Sequence, residues 1–173
     1  GRDGRDAFMA QADAYAAYSS EWYESVNETP DLAGEPLPRW HDVELSHSTL
    51  FDKWINTGTE TLGESDGWPF WSFFTNANSY WNAAAKENVM LVHHNALAKD
   101  LKAVAEEMAL FIGATSAENL KHDNATHLVN DEQDASVYRE DVDTSGLFAA
   151  QMENGRWLRA LSTEQLIAYD MLM

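Results

Sequence analysis

Apolar and aromatic residues recur every three to four positions over most of this chain, and that period predicts a mainly helical protein. Phe8, Ala12, Tyr15, Tyr18 and Trp22 share one face of the stretch from Asp6 to about Asn27, so one long amphipathic helix is expected there. Pro30, Gly34, Pro36 and Pro38 then mark an extended loop to Arg39. A second helix carries Leu50, Phe51, Trp54 and Ile55, is capped by Ser46 or Ser48, and ends near Gly58. Gly63 to Pro69 is a further loop. Pro69 is suited to a first helical turn, so Phe70, Phe73, Phe74, Ala77 and Trp81 are expected to continue a third helix to about Lys86.

The period changes once. Val89-Met90-Leu91-Val92 is a continuous apolar run, which suits a strand from Asn88 to His94 buried on both faces. After it, Leu97, Leu101, Val104, Ala105, Met108, Phe111 and Ile112 form one face of a helix that stops at Gly113. Strand then helix is half of a parallel βαβ unit, and its missing neighbouring strands are expected upstream of Gly1. Ser116 to Asn130 reads as helical, and Asp131 to Gly146 as an acidic, weakly patterned stretch. Ser162 with Gln165 fits a capping box that opens a last helix. No internal repeat or low-complexity tract occurs, and residues 1–173 are read as one domain.

The 173 residues are 45% hydrophobic, with seven Trp, six Tyr and seven Phe, which is enough for a packed core. Cysteine is absent, so disulfides and thiolate metal sites are excluded. No apolar stretch could span a bilayer and no signal peptide opens the chain; a soluble protein is expected, with the cytoplasm as the default location. The formal net charge of −18 argues against nucleic-acid binding, which needs clustered Lys and Arg. Any anionic ligand would need a local positive pocket within that negative field.

Two segments carry candidate chemistry: Gly1-Arg2-Asp3-Gly4-Arg5-Asp6-Ala7-Phe8-Met9-Ala10 and Gly155-Arg156-Trp157. The first resembles the arginine turn and following helix of cytosolic-type sulfotransferases. Asn88 to Gly113 resembles that family's NVLxVHYxDL…FLG, and Gly155-Arg156-Trp157 the end of its RKGxxGxW. Trp71-Ser72-Phe73-Phe74 and Tyr80-Trp81 fall between them in the family's order. The resemblance implies an α/β, predominantly helical chain: a partial sulfotransferase-like P-loop fold, its C-terminal portion, without the N-terminal phosphate-loop half. It implies PAPS as sulfate donor, PAP as the desulfated product, and a hydroxyl or amine acceptor. It makes Arg2 a contact to the donor's 3′-phosphate, with Gly155 and Trp157 beside it as cofactor-binding structure. Arg5 and Arg156 are read as surface charges.

The sequence departs from that pattern chiefly at the ligand positions. Ala10 replaces a phosphate-binding serine, and Ala150-Gln151-Met152 stands in place of the Arg-Lys-Gly that wraps the same phosphate, between Phe148 and Trp157. Ala96 replaces an aspartate, a weaker start for the following helix. The phosphate loop and the catalytic histidine of the family precede the arginine segment and have no counterpart here, so no catalytic residue is assigned. At about 1.5–3 kcal/mol per charge-assisted hydrogen bond, these losses weaken donor binding by roughly three orders of magnitude. PAPS binding is therefore expected to be weak or absent in this chain alone, and sulfate transfer absent or much weakened.

Metal chemistry has little support. His93 and His94 on a strand would point to opposite faces and cannot share an ion. His41, Asp42, Glu44 and His47 could hold a divalent metal only if their loop closed around it, and His122, Asp123 and His127 are poorly spaced. No metal site is assigned. Trp68, Phe70, Trp71, Phe73, Phe74, Tyr80 and Trp81 are many rings for one helix to bury. Either they pack on the first helix, or a second copy or helical partner covers them in a non-catalytic interaction module on a decayed sulfotransferase scaffold.

Overall fold

The computed structural model describes residues 2–28, 36–40, 45–58, 63–69, 71–113, 138–143, 146–147 and 153–172. Their helices are α1 (Gly4–Ala17), α2 (Ser20–Asn27), α3 (His47–Asn56), α4 (Phe73–Ala83), α5 (His94–Lys99), α6 (Leu101–Phe111), α7 (Trp157–Ala160) and α8 (Thr163–Asp170). The protein is mostly helical, and no strand occurs among the described residues beyond a single antiparallel bridge between Tyr18 and Tyr138. Two compact units are present: Asp3–Asn76 with Ala135–Met173, and Gly1–Arg2 with Ala77–Asp134.

The first unit holds the core. Phe8, Ala12 and Tyr15 of α1 and Leu50, Phe51 and Trp54 of α3 are essentially inaccessible to water. Leu161 and Tyr169 close the same cluster from α8 and the residue just before its cap. Phe8 meets Phe51 edge to face at 4.9 Å, and Trp54 lies within 6.4 Å of Phe73, Phe74 and Tyr169. Each such side chain taken out of water contributes about 1.5–3 kcal/mol.

The expected single helix from Asp6 to Asn27 is two. Tyr18 is extended, at φ −62° and ψ 145°, and Ser19 starts α2 by accepting the Trp22 N–H at 3.2 Å. Tyr18 is drawn out of the helix to bridge Tyr138 and stack between that ring, at 5.5 Å, and Trp22, at 3.8 Å. A nonlocal partner thus overrides a continuous helical period. Ser46 caps α3 as expected, and Ser162 with Gln165 forms the expected capping box at the head of α8. Pro69 does not open α4. It lies in a turn, and Ser72 starts the helix by accepting the Thr75 N–H at 3.0 Å while its hydroxyl donates to the buried Asp66 at 2.6 Å.

In the second unit the expected strand from Asn88 to His94 is not formed: residues 89–93 pair with no strand among the described residues, and His94 already belongs to α5. An apolar run becomes a strand only when neighbours accept its backbone hydrogen bonds, so the α/β expectation finds no β part in the described residues. His93 instead caps α5, its Nδ1 accepting the Asn95 N–H at 3.2 Å. The long helix expected to follow is broken at Asp100, whose φ of −154° is not helical and whose carboxylate restarts the chain as α6 by accepting the Ala103 N–H at 3.0 Å. Gly113, at φ 75°, ends it as expected. The helix read at Ser116 to Asn130 lies outside the described residues.

Candidate functional site

Within the first unit, α1 presents acidic side chains to the Gly155-Arg156-Trp157 segment. Asp6 and Asp13 are seven residues apart, two helical turns, and so share a face. The buried Asp6 accepts the Gly155 N–H through Oδ1 at 2.6 Å. Gly155 has φ 79°, a left-handed conformation that a residue with a Cβ rarely adopts.

Asp13 uses both oxygens. Oδ2 accepts from Arg156 Nη1, and Oδ1 pairs with His47 Nε2 at 2.8 Å, so the residue ties α1 to α3 and to the segment before α7. Burial opposes ionisation of this carboxyl, yet hydrogen bonds from His47 and Arg156 outweigh it and hold the pKa below the ordinary value. Asp13, Ala16, Ala17, Arg139, Leu147 and Arg156 line a shallow recess of about 390 Å³. Arg139 is itself bound to Asp141 through two nitrogens.

Arg5 packs on Trp157. Its guanidinium lies 4.1 Å from the Trp157 ring centroid and 5.0 Å from that of Tyr169, stacked on both. Nε and Nη2 donate to the two oxygens of Asp3 at 3.0 and 2.8 Å, and Nη1 reaches Asp170 at 3.4 Å. Asp3 also caps α1 by accepting the Arg5 N–H at 2.9 Å. The Arg5 side chain holds the Asp3 pKa below its usual value, and burial pushes the Tyr169 phenol up to about 12.

Of the residues expected at the site, Gly155 and Trp157 stand in this cluster, whereas the half-buried Arg2 falls in the second unit. Arg5 and Arg156 are not the surface charges expected: their side chains are 19% and 22% exposed and each is bound to carboxylate. In the sequence Asp3, Asp6 and Asp13 carry no assigned role, and His47 stands only as a possible metal ligand. The available signal was Asp6 and Asp13 lying one heptad apart beside the apolar stripe of α1. His47 serves Asp13, while His41, Asp42 and Glu44, like the Ala150-Gln151-Met152 replacement and Phe148, lie outside the described residues. Among the described residues no three His, Asp or Glu side chains converge to hold a metal ion, and no helix is long and apolar enough to cross a membrane.

A family model, that of the sulfotransferase domain, matches residues 51–173. It begins inside α3 and takes in Gly155 and Trp157 but not Arg2. No curated protein and no solved structure matches the chain.

Proposed function

Because this chain belongs to the sulfotransferase domain family, we propose that it is the C-terminal portion of a PAPS-dependent sulfotransferase-like fold that, alone, neither grips the donor strongly nor transfers sulfate. In a complete P-loop fold the reaction would move sulfate from PAPS to a hydroxyl or amine acceptor. The phosphate loop and proton-accepting base for that step have no counterpart among these residues. By the family resemblance Arg2 would contact the donor's 3′-phosphate, and Gly155 and Trp157 would be cofactor-binding structure.

One observation carries the reading: the hydrogen-bond donors flanking Trp157 are already committed to carboxylates. Arg5 is held by Asp3 and Asp170, Arg156 by Asp13, and the Gly155 N–H by Asp6. Two guanidiniums thus face three carboxylates and one backbone amide a fourth, a poor fit to a polyanionic donor in a chain of net charge −18. Calorimetric titration with adenosine 3′,5′-bisphosphate at low salt is expected to give no heat up to millimolar ligand, and a sulfate-transfer assay no turnover above blank. Micromolar binding that disappears in Arg2→Ala would overturn the reading.

A second reading, an interaction module, is favoured by the aromatic residues. Trp68, Phe73 and Phe74 do pack on the core, but Tyr80 and Trp81 in the second unit are 59% and 74% exposed. Leu110 and Ile112 of the same unit are 75% and 76% exposed. Covering of these side chains by a second copy predicts a dimer mass in light scattering after gel filtration; a compact monomer at high concentration excludes it.

A further inference from the structure

Asn154 is the only asparagine of the chain that is followed by glycine. That pair is chemically labile, because glycine has no Cβ to shield its backbone nitrogen and a five-membered ring brings this nitrogen to the asparagine side-chain carbonyl carbon. Asn154 is exposed, so water reaches it, and the left-handed Gly155 follows it in the turn before α7. The attacking nitrogen is the atom that α1 holds: the Gly155 N–H donates to Oδ1 of the buried Asp6 at 2.6 Å. Asp66-Gly67 has the same ring geometry but lies inside the protein. There the buried Asp66 carboxylate takes the Ser72 hydroxyl, and the Gly67 N–H goes to the Trp54 carbonyl.

We infer that Asn154 is a modification site, a spontaneous deamidation whose rate is set by the hydrogen bond from the Gly155 N–H to the Asp6 carboxylate. In the reaction the Gly155 nitrogen gives up its proton and bonds to Asn154 Cγ, the Cγ–Nδ2 bond breaks, and Nδ2 leaves with that proton as ammonia. Water then opens the succinimide at either carbonyl, giving aspartate or isoaspartate at position 154; nothing is oxidised or reduced. While Asp6 accepts the N–H, the nitrogen keeps its proton and is fixed against α1, so this tie must break before the ring closes. A charge-assisted bond of this kind slows the step about tenfold or more. The Asp6 charge also disfavours the amide anion that attacks. Isoaspartate carries the main chain through its Cβ, a methylene longer, directly into Gly155, and it leaves a new carboxylate beside that residue. The product therefore displaces the N–H from Asp6 and loosens the Gly155-Arg156-Trp157 segment from α1.

The test incubates the full chain at mildly alkaline pH and follows position 154 by peptide mapping that separates the asparagine, aspartate and isoaspartate forms. Wild type in buffer, wild type unfolded in urea, Asp6→Ala and Gln165→Leu are compared, each folded sample being checked by circular dichroism. Conversion is expected to be fastest in urea and at least about tenfold slower in the folded wild type. Folded Asp6→Ala is expected to regain most of that difference. Gln165→Leu, which lowers stability but leaves the Gly155 tie in place, should convert at the wild-type rate. A folded wild type as fast as the unfolded chain overturns the inference. So does a folded Asp6→Ala as slow as wild type, and so does Gln165→Leu as fast as Asp6→Ala, which would assign the protection to overall stability. Should Asp6→Ala not fold, Asp6→Asn carries the test: a neutral acceptor holds the N–H less tightly, and conversion a few-fold faster than wild type is expected. An unchanged rate in folded Asp6→Asn then overturns the inference. None of these outcomes bears on donor binding or sulfate transfer, so the proposed function stands or falls separately.

Discussion

Asp13 of α1 and Arg156, separated by 143 residues of chain, form a part-buried ion pair that joins the first helix of the protein to the segment preceding α7. The same carboxylate holds His47, so one side chain locks three pieces of the first unit. Removing it deletes the acceptor of both Arg156 and His47.

Asp13→Ala is expected to lower stability by about 2–3 kcal/mol, the range for losing charge-assisted hydrogen bonds, as read by urea denaturation at neutral pH. The pH dependence has a definite sign. The folded-state pKa of Asp13 lies below its unfolded value, so the pair's contribution is complete above about pH 4 and is lost as pH falls through the folded pKa. The difference between wild type and Asp13→Ala should therefore shrink on acidification below pH 4. A difference that stayed constant to pH 2 would show that the pair contributes nothing through ionisation.

Gln165 is buried and connects α8 to α3. Its amide oxygen accepts from the Ser162 N–H at 2.9 Å and the Ser48 hydroxyl at 3.1 Å, while Nε2 donates to the Ser48 carbonyl at 2.9 Å and to Asp52 at 2.8 Å. Gln165→Leu keeps the volume but ends the capping box and removes the donor to the Ser48 carbonyl and to Asp52. A loss of about 2 kcal/mol is expected, with a lower thermal midpoint. Gln165→Glu sets a carboxylate against the Asp52 carboxylate and the Ser48 carbonyl, and is expected to cost at least as much at neutral pH.

Gly4→Ala tests packing against propensity. In an exposed helix this change gains about 0.5–1 kcal/mol. At Gly4 an added Cβ would lie 2.3 Å from the Tyr169 hydroxyl oxygen and 2.5 Å from the Phe73 ring. Tyr169 is 3% exposed and ringed by Phe51, Trp54 and Phe74, so it cannot swing aside. A net destabilisation of about 1–2 kcal/mol is expected in chemical denaturation; a stabilised variant would show that this contact is loose.

The devices legible in the sequence are local ones. Ser46 before α3, Ser162 with Gln165 at α8 and Gly113 after α6 act over four residues or fewer, and a hydroxyl three positions from an orphan N–H, or a glycine free to be left-handed, is visible in the letters. The apolar stripes of α1 and α3 were equally plain, because burial imposes the helical period directly. The order of aromatic and glycine landmarks was enough to indicate the sulfotransferase family, which the match over residues 51–173 shows.

Tertiary structure decided what depends on distant partners. The break between α1 and α2 follows from Tyr138, and the run Val89–Val92 forms no strand because no neighbouring strand takes up its backbone among the described residues. The pairing of Arg5 and Arg156 with carboxylates was hidden for the same reason. Charge appears in a sequence as a sum, here −18, whereas an arginine's availability to a ligand depends on which carboxylate lies within about 3 Å of it. The sequence by itself determined a helical protein through its apolar period and a strongly acidic one through its composition; only the folded arrangement set Asp6 and Asp13 against Gly155 and Arg156, because a contact across more than a hundred residues is a property of packing and leaves no local pattern.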